Sequence, residues 1–136
     1  MIVLDANAAI AMMRKTEEGE ALLALMLEGE SVIAPTLLHF ELANALAKYV
    51  RRGELSSDEL PVALQTSVQF VDTFYPGKEL TLEATSEAVR LNHPVYDLFY
   101  LVLARRTGST LFTLNKRLQN LCLDNGVNCV FLDTEC

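Results

Sequence analysis

The sequence has no tryptophan, and no apolar run approaches the ~18 residues that a membrane-spanning helix requires. Of its 136 residues, 51% are hydrophobic and 21% are charged, which is typical of a folded soluble protein rather than a disordered one. The N-terminal segment reaches a carboxylate at Asp5, too early for a secretory signal peptide. Low-complexity stretches and linkers are absent, so we predict one domain over residues 1–136, no membrane association and a cytoplasmic location.

Cysteine and histidine are too scarce for a zinc site. The cysteines are Cys122, Cys129 and Cys136, none of which forms a Cys-x-x-Cys pair, and the histidines are His39 and His93. The ordinary spacing of zinc ligands is therefore missing. An odd number of cysteines without a secretory signal also favours reduced thiols over a disulfide framework.

Basic residues are outnumbered, with 11 lysines and arginines against 18 acids and a net charge of −7. This balance argues against a nucleic-acid-binding protein, because phosphate contacts need a concentrated positive surface. The charges are unevenly spread, however. Acids are concentrated early in the chain, whereas basic clusters occur at residues 48–52, 105–106 and 116–117. The net charge alone therefore does not exclude a nucleic-acid partner.

Short apolar runs alternate with amphipathic stretches along the chain. The apolar runs predict strands at residues 2–4, 31–34, 110–114 and 128–132. Helices are predicted at residues 6–14, 17–27, 36–52, 81–91, 93–106 and 115–123, with a further helix ending before residue 75. This alternation predicts an α/β fold with a parallel sheet and helices on its faces. Residues 36–92 are interpreted as a helical elaboration between the second and third strands.

Helix boundaries are predicted from residues that cap or break helices. Asp5 or Asn7 would cap the first helix, Thr36 the long helix after the second strand, and Ser57 the helix after that. Pro35 is expected to close the second strand, since proline lacks the N–H that a ladder uses.

Two polar residues directly follow predicted strands. Asp5 ends the first apolar run, and Asn115 follows the run at residues 110–114. In a parallel sheet, ligands bind beyond the carboxyl ends of the strands, so both side chains are expected where a site would form. A helix cap is the alternative role of both residues, and for Asn115 the sequence favours that role.

Two further acids lie in apolar helices. Glu41 occupies an apolar stretch of the long helix, although it also shares a helical face with Asn44 and Lys48 and would then belong to a solvent-exposed stripe. Asp97 stands alone in a helix that is apolar nearly all round. A buried lone carboxylate costs several kcal/mol unless it is paired, hydrogen-bonded or bound to a metal, so Asp97 is the stronger functional candidate.

These acids together predict a cation site. If Asp5, Glu41 and Asp97 meet at the carboxyl end of the sheet, they raise one another's pKa and cannot all stay ionised without a cation. Ligand sets made only of oxygen suit Mg²⁺ or Mn²⁺. Such an ion would activate water and stabilise charge on a phosphate, as in metal-dependent nucleases.

The order of these segments resembles the PIN-domain family, specifically the VapC-type ribonuclease toxins of toxin–antitoxin pairs. The resemblance covers nearly the whole chain. It is carried by Ile2-Val-Leu-Asp5-Ala-Asn7, by Glu41, by His93-Pro-Val-Tyr-Asp97-Leu-Phe-Tyr through Gly108, and by Thr110-Leu-Phe-Thr-Leu-Asn115-Lys-Arg-Leu118. It implies a three-layer α/β/α domain with a short central parallel sheet, and an endoribonuclease of single-stranded or loop RNA that depends on Mg²⁺ or Mn²⁺.

The resemblance also assigns roles to individual residues. Asp5, Glu41 and Asp97 match the acidic metal site of the family. Asn7 matches a polar residue that supports the first acid, and Thr113 matches the threonine that precedes the fourth site position.

That fourth position is where the chain departs from the family. Asn115 stands where an aspartate is usual. Its amide would still offer a carbonyl oxygen but no negative charge, so a second metal ion becomes doubtful. Lys116 and Arg117 follow directly and are candidates for contacts with RNA phosphates.

The family's partners are an RNA substrate, a small antitoxin that places a basic residue among the acids, and a second copy of the chain in a homodimer. An acidic pocket and a net charge of −7 suit such a basic partner.

Two alternatives to the nuclease remain. One is a catalytically silent PIN domain that only binds RNA or an antitoxin, which Asn115 favours. The other is a phosphatase of the haloacid dehalogenase type, whose second aspartate would have to stand at Asn7. A dinucleotide-binding domain is excluded because no glycine-rich turn follows the first strand.

Overall fold

The computed structural model describes residues 1–26 and 29–132. This part of the chain folds into three layers, a parallel sheet between two layers of helices, as predicted. None of the helices described here has the length and apolar character needed to cross a membrane.

The described residues form four strands, seven α-helices and one short 3₁₀ helix at Gly77–Glu79. The strands are β1 (Ile2–Leu4), β2 (Val32–Pro35), β3 (Thr73–Tyr75) and β4 (Thr110–Phe112). The helices are α1 (Ala6–Arg14), α2 (Glu17–Leu25), α3 (Leu37–Arg51), α4 (Leu60–Gln69), α5 (Thr81–Leu91), α6 (Val95–Thr107) and α7 (Lys116–Asp124).

The sheet has the strand order β3-β2-β1-β4, and every neighbouring pair is parallel. From β1 the chain adds β2 and β3 on one side and β4 on the other. The carboxyl ends of β1 and β4 therefore meet where the strand order reverses, which is where open α/β sheets bind ligands. In the register of this pair, Leu4 lies beside Phe112, so the residues that follow both strands begin at the same height.

Side chains of β1 alternate between two hydrophobic cores. Ile2 and Leu4 pack among α1, α2, α3 and α4, whereas Val3 packs among α5, α6 and α7. All three side chains are at most 2% exposed. This double burial explains why β1 has an uninterrupted apolar run, because strands covered on both faces do not alternate with polar residues.

The strand β3 was not predicted from the sequence. Thr73, Phe74 and Tyr75 pair with Ile33, Ala34 and Pro35, so the segment interpreted as purely helical contains an edge strand. Three residues beside a Pro-Gly turn are too short to show a period of two. Pro35 is the last residue of β2, so it closes the strand as predicted.

The strand predicted at residues 128–132 is wrong. Among the described residues of that segment, a single bridge joins Cys129 to Leu111, with hydrogen bonds on either side of Leu111. The predicted helix 17–27 ends at Leu25, and Leu27 lies outside the described residues.

Two of the predicted caps are also wrong. The Thr36 hydroxyl accepts a hydrogen bond from the Gly77 N–H at 2.9 Å and thus fastens α3 to the turn after β3. The turn before α4 is closed by Ser56 and Glu59, each accepting a hydrogen bond from the backbone N–H of the other, instead of by Ser57. Thr36 thus bonds to a distant segment that packing brings near, whereas at α4 two adjacent serines offered alternative caps and Ser56 forms the hydrogen bond.

The helices α1 and α2 approach so closely at Gly19 that a side chain does not fit. An added Cβ at Gly19 would lie 2.0 Å from the carbonyl oxygen of Ala11. The absence of a side chain at Gly19 therefore allows α2 to pack directly against the backbone of α1.

We predict that Gly19→Ala lowers the free energy of unfolding by about 1–3 kcal/mol, because the new methyl group forces the two helices apart. Urea unfolding measures this change. Glu20→Ala, at an exposed position of the same helix, serves as control and should stay within about 0.5 kcal/mol of the parent. Equal stability of the Gly19 variant would show that the two helices separate without cost.

Candidate active site

A cavity of about 340 Å³ opens at the carboxyl end of the sheet, where β1 and β4 diverge. Its walls come from α1 and α3, from the first turns of α6, and from Asn115 after β4. All three acids predicted from the sequence line it: Asp5, Glu41 and Asp97. The tertiary structure thus brings together side chains that are more than 90 positions apart in sequence at their extremes.

Asp5 forms the buried floor of this cavity. It caps α1, since its Oδ1 accepts a hydrogen bond from the Ala8 N–H at 3.0 Å, and the Thr113 hydroxyl also hydrogen-bonds to it. Only 6% of the residue is exposed. The pKa of Asp5 is raised to about 7, chiefly by desolvation and in addition by the nearby charges of Glu41 and Asp97, against the opposing effect of the two hydrogen bonds.

Glu41 enters the cavity from α3. Its Oε1 accepts a hydrogen bond from the hydroxyl of Tyr100 on α6, a side chain that is almost completely buried. Burial raises the pKa of Glu41, and the charge of Asp97 adds to this effect, while the Tyr100 hydrogen bond lowers it. The contact fixes the Glu41 carboxylate toward the interior, so Glu41 is not part of a solvent-exposed stripe.

Asp97 lies in the first turn of α6, where the helix dipole favours a carboxylate. Its Oδ2 lies 2.9 Å from the Nε2 of His93, and this histidine side chain is only 8% exposed. His93 is therefore a hydrogen-bond partner of Asp97 from the same segment, and this contact offsets part of the free-energy cost of burying a carboxylate.

Asn115 is held by the start of α7. Its Oδ1 accepts hydrogen bonds from the N–H groups of Arg117 and Leu118, at 3.0 and 3.4 Å, and its own N–H donates to the Thr113 hydroxyl. Because the carbonyl oxygen is engaged in capping, the side-chain NH₂ is the group of Asn115 that stays available to the cavity.

Asn7 supports this loop. The Leu114 N–H donates to its Oδ1 at 3.1 Å, which ties α1 to the segment after β4. The resemblance placed Asn7 beside the first acid. The contact that the structure shows for it is with the loop that carries Asn115.

The carboxylates share one cavity without forming a close cluster. In the portion of the chain covered by the structure, no group of three His, Cys, Asp or Glu side chains is gathered tightly enough to make a preformed ion site. Each acid is instead hydrogen-bonded to a donor of its own. The chemistry of the donor set nevertheless fits a hard divalent cation, because all three acids present oxygen to a partly desolvated space.

Four residues of the site were not identified from the sequence, two that contact the acids and two at the far end of the cavity. Tyr100 and His93 lie three residues after and four residues before Asp97, so helical spacing would have indicated both. Arg14 and Tyr49 also line the cavity, near the ends of α1 and α3 that lie away from the sheet. They carry no local signal, since only the packing of the two helices brings them together.

The two predicted phosphate-contacting residues lie beside the cavity. Lys116 and Arg117 are exposed in the first turn of α7 and follow Asn115 directly, but they are not among the residues that line the space. Positive charges at the N-terminal end of a helix interact unfavourably with the helix dipole, so Lys116 and Arg117 do not stabilise α7 at this position.

Comparisons with known proteins agree with this architecture. The PIN domain family model matches residues 2–123. Ribonuclease VapC12 from Mycobacterium tuberculosis is 36% identical over 118 residues, covering 87% of this chain and 89% of the relative. Ribonuclease VapC3 from Pyrobaculum aerophilum is 29% identical over 119 residues, covering 86% and 91%.

A crystal structure with the same fold is that of VapBC2 from Rickettsia felis bound to a DNA fragment from its promoter. It superposes with a TM-score of 0.68 over 98% of this chain and 100% of the matched chain, at 15% sequence identity. The matched family model and the extent of the relatives show that this chain belongs to the PIN-domain family, in the group that contains the VapC ribonucleases.

Proposed function

We propose that this protein is a metal-dependent endoribonuclease that cleaves single-stranded or loop RNA. The observation that carries the proposal is the convergence of Asp5, Glu41 and Asp97 on one cavity at the carboxyl end of the sheet. The ribonuclease names of the relatives, which align over most of the chain, support the same activity.

Asp5, Glu41 and Asp97 would hold a Mg²⁺ or Mn²⁺ ion. When bound, the ion would supply an activated water and neutralise charge on the phosphate that is attacked. The pKa of about 7 shows that desolvation favours the neutral form of Asp5, and a bound cation would offset this by stabilising the carboxylate.

The remaining side chains orient this set. Tyr100 holds the carboxylate of Glu41 and His93 holds that of Asp97, while the Ala8 N–H fixes Asp5. Such contacts limit the directions in which each acid can present its oxygens. Lys116 and Arg117 are placed beside the cavity, where they would contact phosphates of the RNA on one side of the cleaved bond.

The protein is further proposed to act as the toxin of a toxin–antitoxin pair in the cytoplasm. A solved relative contains a VapBC pair, and an acidic cavity on a chain of net charge −7 suits a basic segment of an antitoxin. A homodimer is proposed from exposed apolar side chains. Leu82 and Val89 lie seven residues apart on α5 and are 82% and 79% exposed. Together they form an apolar surface whose burial in an interface would be favourable.

A second candidate is a catalytically silent PIN domain that binds RNA or an antitoxin. The observation that favours it is the capping role of Asn115, whose carbonyl oxygen is engaged with α7 and whose NH₂ cannot bind a cation. Cleavage of an unstructured RNA by the purified protein, dependent on Mg²⁺ or Mn²⁺, separates the two.

We predict that Asp97→Asn lowers this cleavage by roughly 100-fold or more, because several kcal/mol of charge stabilisation are lost with one ligand. Calorimetry should show Mn²⁺ binding weakened about 10-fold or more. Asp124→Asn makes the same charge change outside the cavity and should leave both unchanged. Equal cleavage by the wild type and the Asp97 variant would remove Asp97 from the catalytic set.

The raised pKa of Asp5 predicts an unusual pH dependence of stability in EDTA. Its pKa rises from 3.8 in the unfolded chain to about 7 in the folded protein, so its contribution is greatest below pH 4 and is lost as pH rises through 7. A shift of this size corresponds to about 4 kcal/mol at most.

Asp5→Asn should remove this component. Urea unfolding of both proteins between pH 5 and pH 8 isolates it as a difference, and Mn²⁺ should restore wild-type stability at pH 8 selectively. The same pH slope in both proteins would show that Asp5 is not the group that titrates.

Asn115→Asp is predicted to strengthen the site. Aspartate caps a helix as well as asparagine does, so α7 is retained while a carboxylate oxygen replaces the NH₂. Mn²⁺ affinity and the rate of cleavage should both rise, because the ligand set gains a negative charge. The exposed Asn120→Asp adds the same charge elsewhere on α7 and should change neither. If Asn115→Asp leaves the affinity for Mn²⁺ as it was, residue 115 lies outside the ion site.

A further inference from the structure

The chemistry of the cavity changes along its length. Asp5 and Glu41 lie near the sheet, at the starts of the wall segments, whereas Arg14 and Tyr49 lie at the other ends. Eight or nine residues of helix separate the two ends on each wall, a distance of ~12–14 Å at 1.5 Å per residue. The cavity is therefore a trough with an acidic end and a cationic, aromatic end.

Arg14 and Tyr49 form a stacked pair. The guanidinium carbon of Arg14 lies 4.6 Å from the centre of the Tyr49 ring, within the range of a cation–π contact. Arg14 is exposed and Tyr49 is half-buried. Within residues 1–26 and 29–132 no ion pair includes Arg14, and it is the one cationic side chain among those that line the trough.

The wall between the two ends is suited to a flat, partly apolar ligand. Ile10, Ala11 and Ala45 supply apolar surface, and Asn7 and Asn44 supply amide groups. The volume of 340 Å³ lies in the range of pockets that bind small organic ligands.

We infer that Arg14 and Tyr49 form a subsite for a nucleotide of single-stranded RNA that flanks the cleaved bond. The inference rests on the proposed function. Arginine and aromatic side chains recognise unpaired nucleotides by contacting phosphate and stacking on bases. An RNA strand is repelled by the acidic end of the trough, and Arg14 supplies the opposite charge one or two nucleotides away.

An apolar helix of a protein partner fits this trough less well. It would cover Ile10, Ala11 and Ala45 but would also have to lie across the exposed guanidinium of Arg14, which has no acidic partner in the part of the chain that the structure describes. Charge complementarity at this end therefore favours a polyanion.

The test measures binding of fluorescein-labelled, unstructured RNA 12-mers by anisotropy at several salt concentrations, in the Asp97→Asn background to suppress cleavage. Arg14→Met keeps the apolar stem and should weaken binding, with the slope of log K against log salt reduced by about 0.7, as for one lost phosphate contact. Tyr49→Leu should weaken binding roughly 5- to 100-fold with the slope unchanged, because a stacking surface is lost.

Three controls make these results specific. Tyr49→Phe retains the ring and should bind nearly as the parent does. Lys78→Met makes the same charge change as Arg14→Met outside the trough and should leave the affinity within about twofold. Melting temperatures of all variants should agree, which shows that the pair is not needed for folding.

Undiminished RNA binding by both Arg14→Met and Tyr49→Leu would overturn the inference. So would an equal loss in Tyr49→Leu and Tyr49→Phe, since the ring would then not be the contact. Loss of a co-purified protein partner with RNA binding intact would assign the surface to a protein. The proposed function fails separately, if the wild type neither binds nor cleaves RNA in the presence of Mn²⁺.

Discussion

The burial of the Asp5 carboxyl group at the end of β1 is the constraint on which the candidate site depends. Removing a carboxylate from water is costly, and here the cost is offset by the start of α1 and by the Thr113 hydroxyl only in part, because the pKa remains raised to about 7. The strands β1 and β4 create this environment, since both end in apolar residues that are covered on the two faces of the sheet. A short parallel sheet thus produces a desolvated acid at the point where a ligand is expected.

The helix α6 connects the fold to this acid. Its residues from Leu98 to Ala104 are buried, half-buried Phe99 excepted, as expected of a central element. The same helix supplies Asp97 and Tyr100, while the residue pair before it supplies His93. Packing of α6 against the sheet therefore sets the positions of one acid directly and of Glu41 through a hydrogen bond. A change that moved α6 along the sheet would alter the whole cavity.

The distribution of basic residues reconciles the net charge with an RNA substrate. Arg105 and Arg106 make ion pairs with Glu83 at 2.9 and 2.7 Å, and Arg105 and Arg90 contact Glu87, so this cluster joins α5 to α6. Arg14, Lys116 and Arg117 lie in or beside the cavity. Their attraction for a nearby phosphate depends on this local arrangement more than on the net charge of the chain.

Local patterns in the sequence were sufficient to predict the strands β1 and β4 and the starts of the helices near Ala6, Thr81 and Val95. They also identified the three acids as candidates, because a carboxylate among apolar residues is conspicuous in the sequence. The alternation of strands and helices was likewise enough for a parallel three-layer fold. Contacts between distant segments were decided only by the tertiary structure. The strand β3 exists because β2 offers it a partner, and Thr36 binds Gly77 instead of capping its own helix. Arg14 and Tyr49 meet for the same reason, because the packing of α1 against α3 brings them together. Such contacts depend on the whole fold and cannot be inferred from adjacent residues in the sequence.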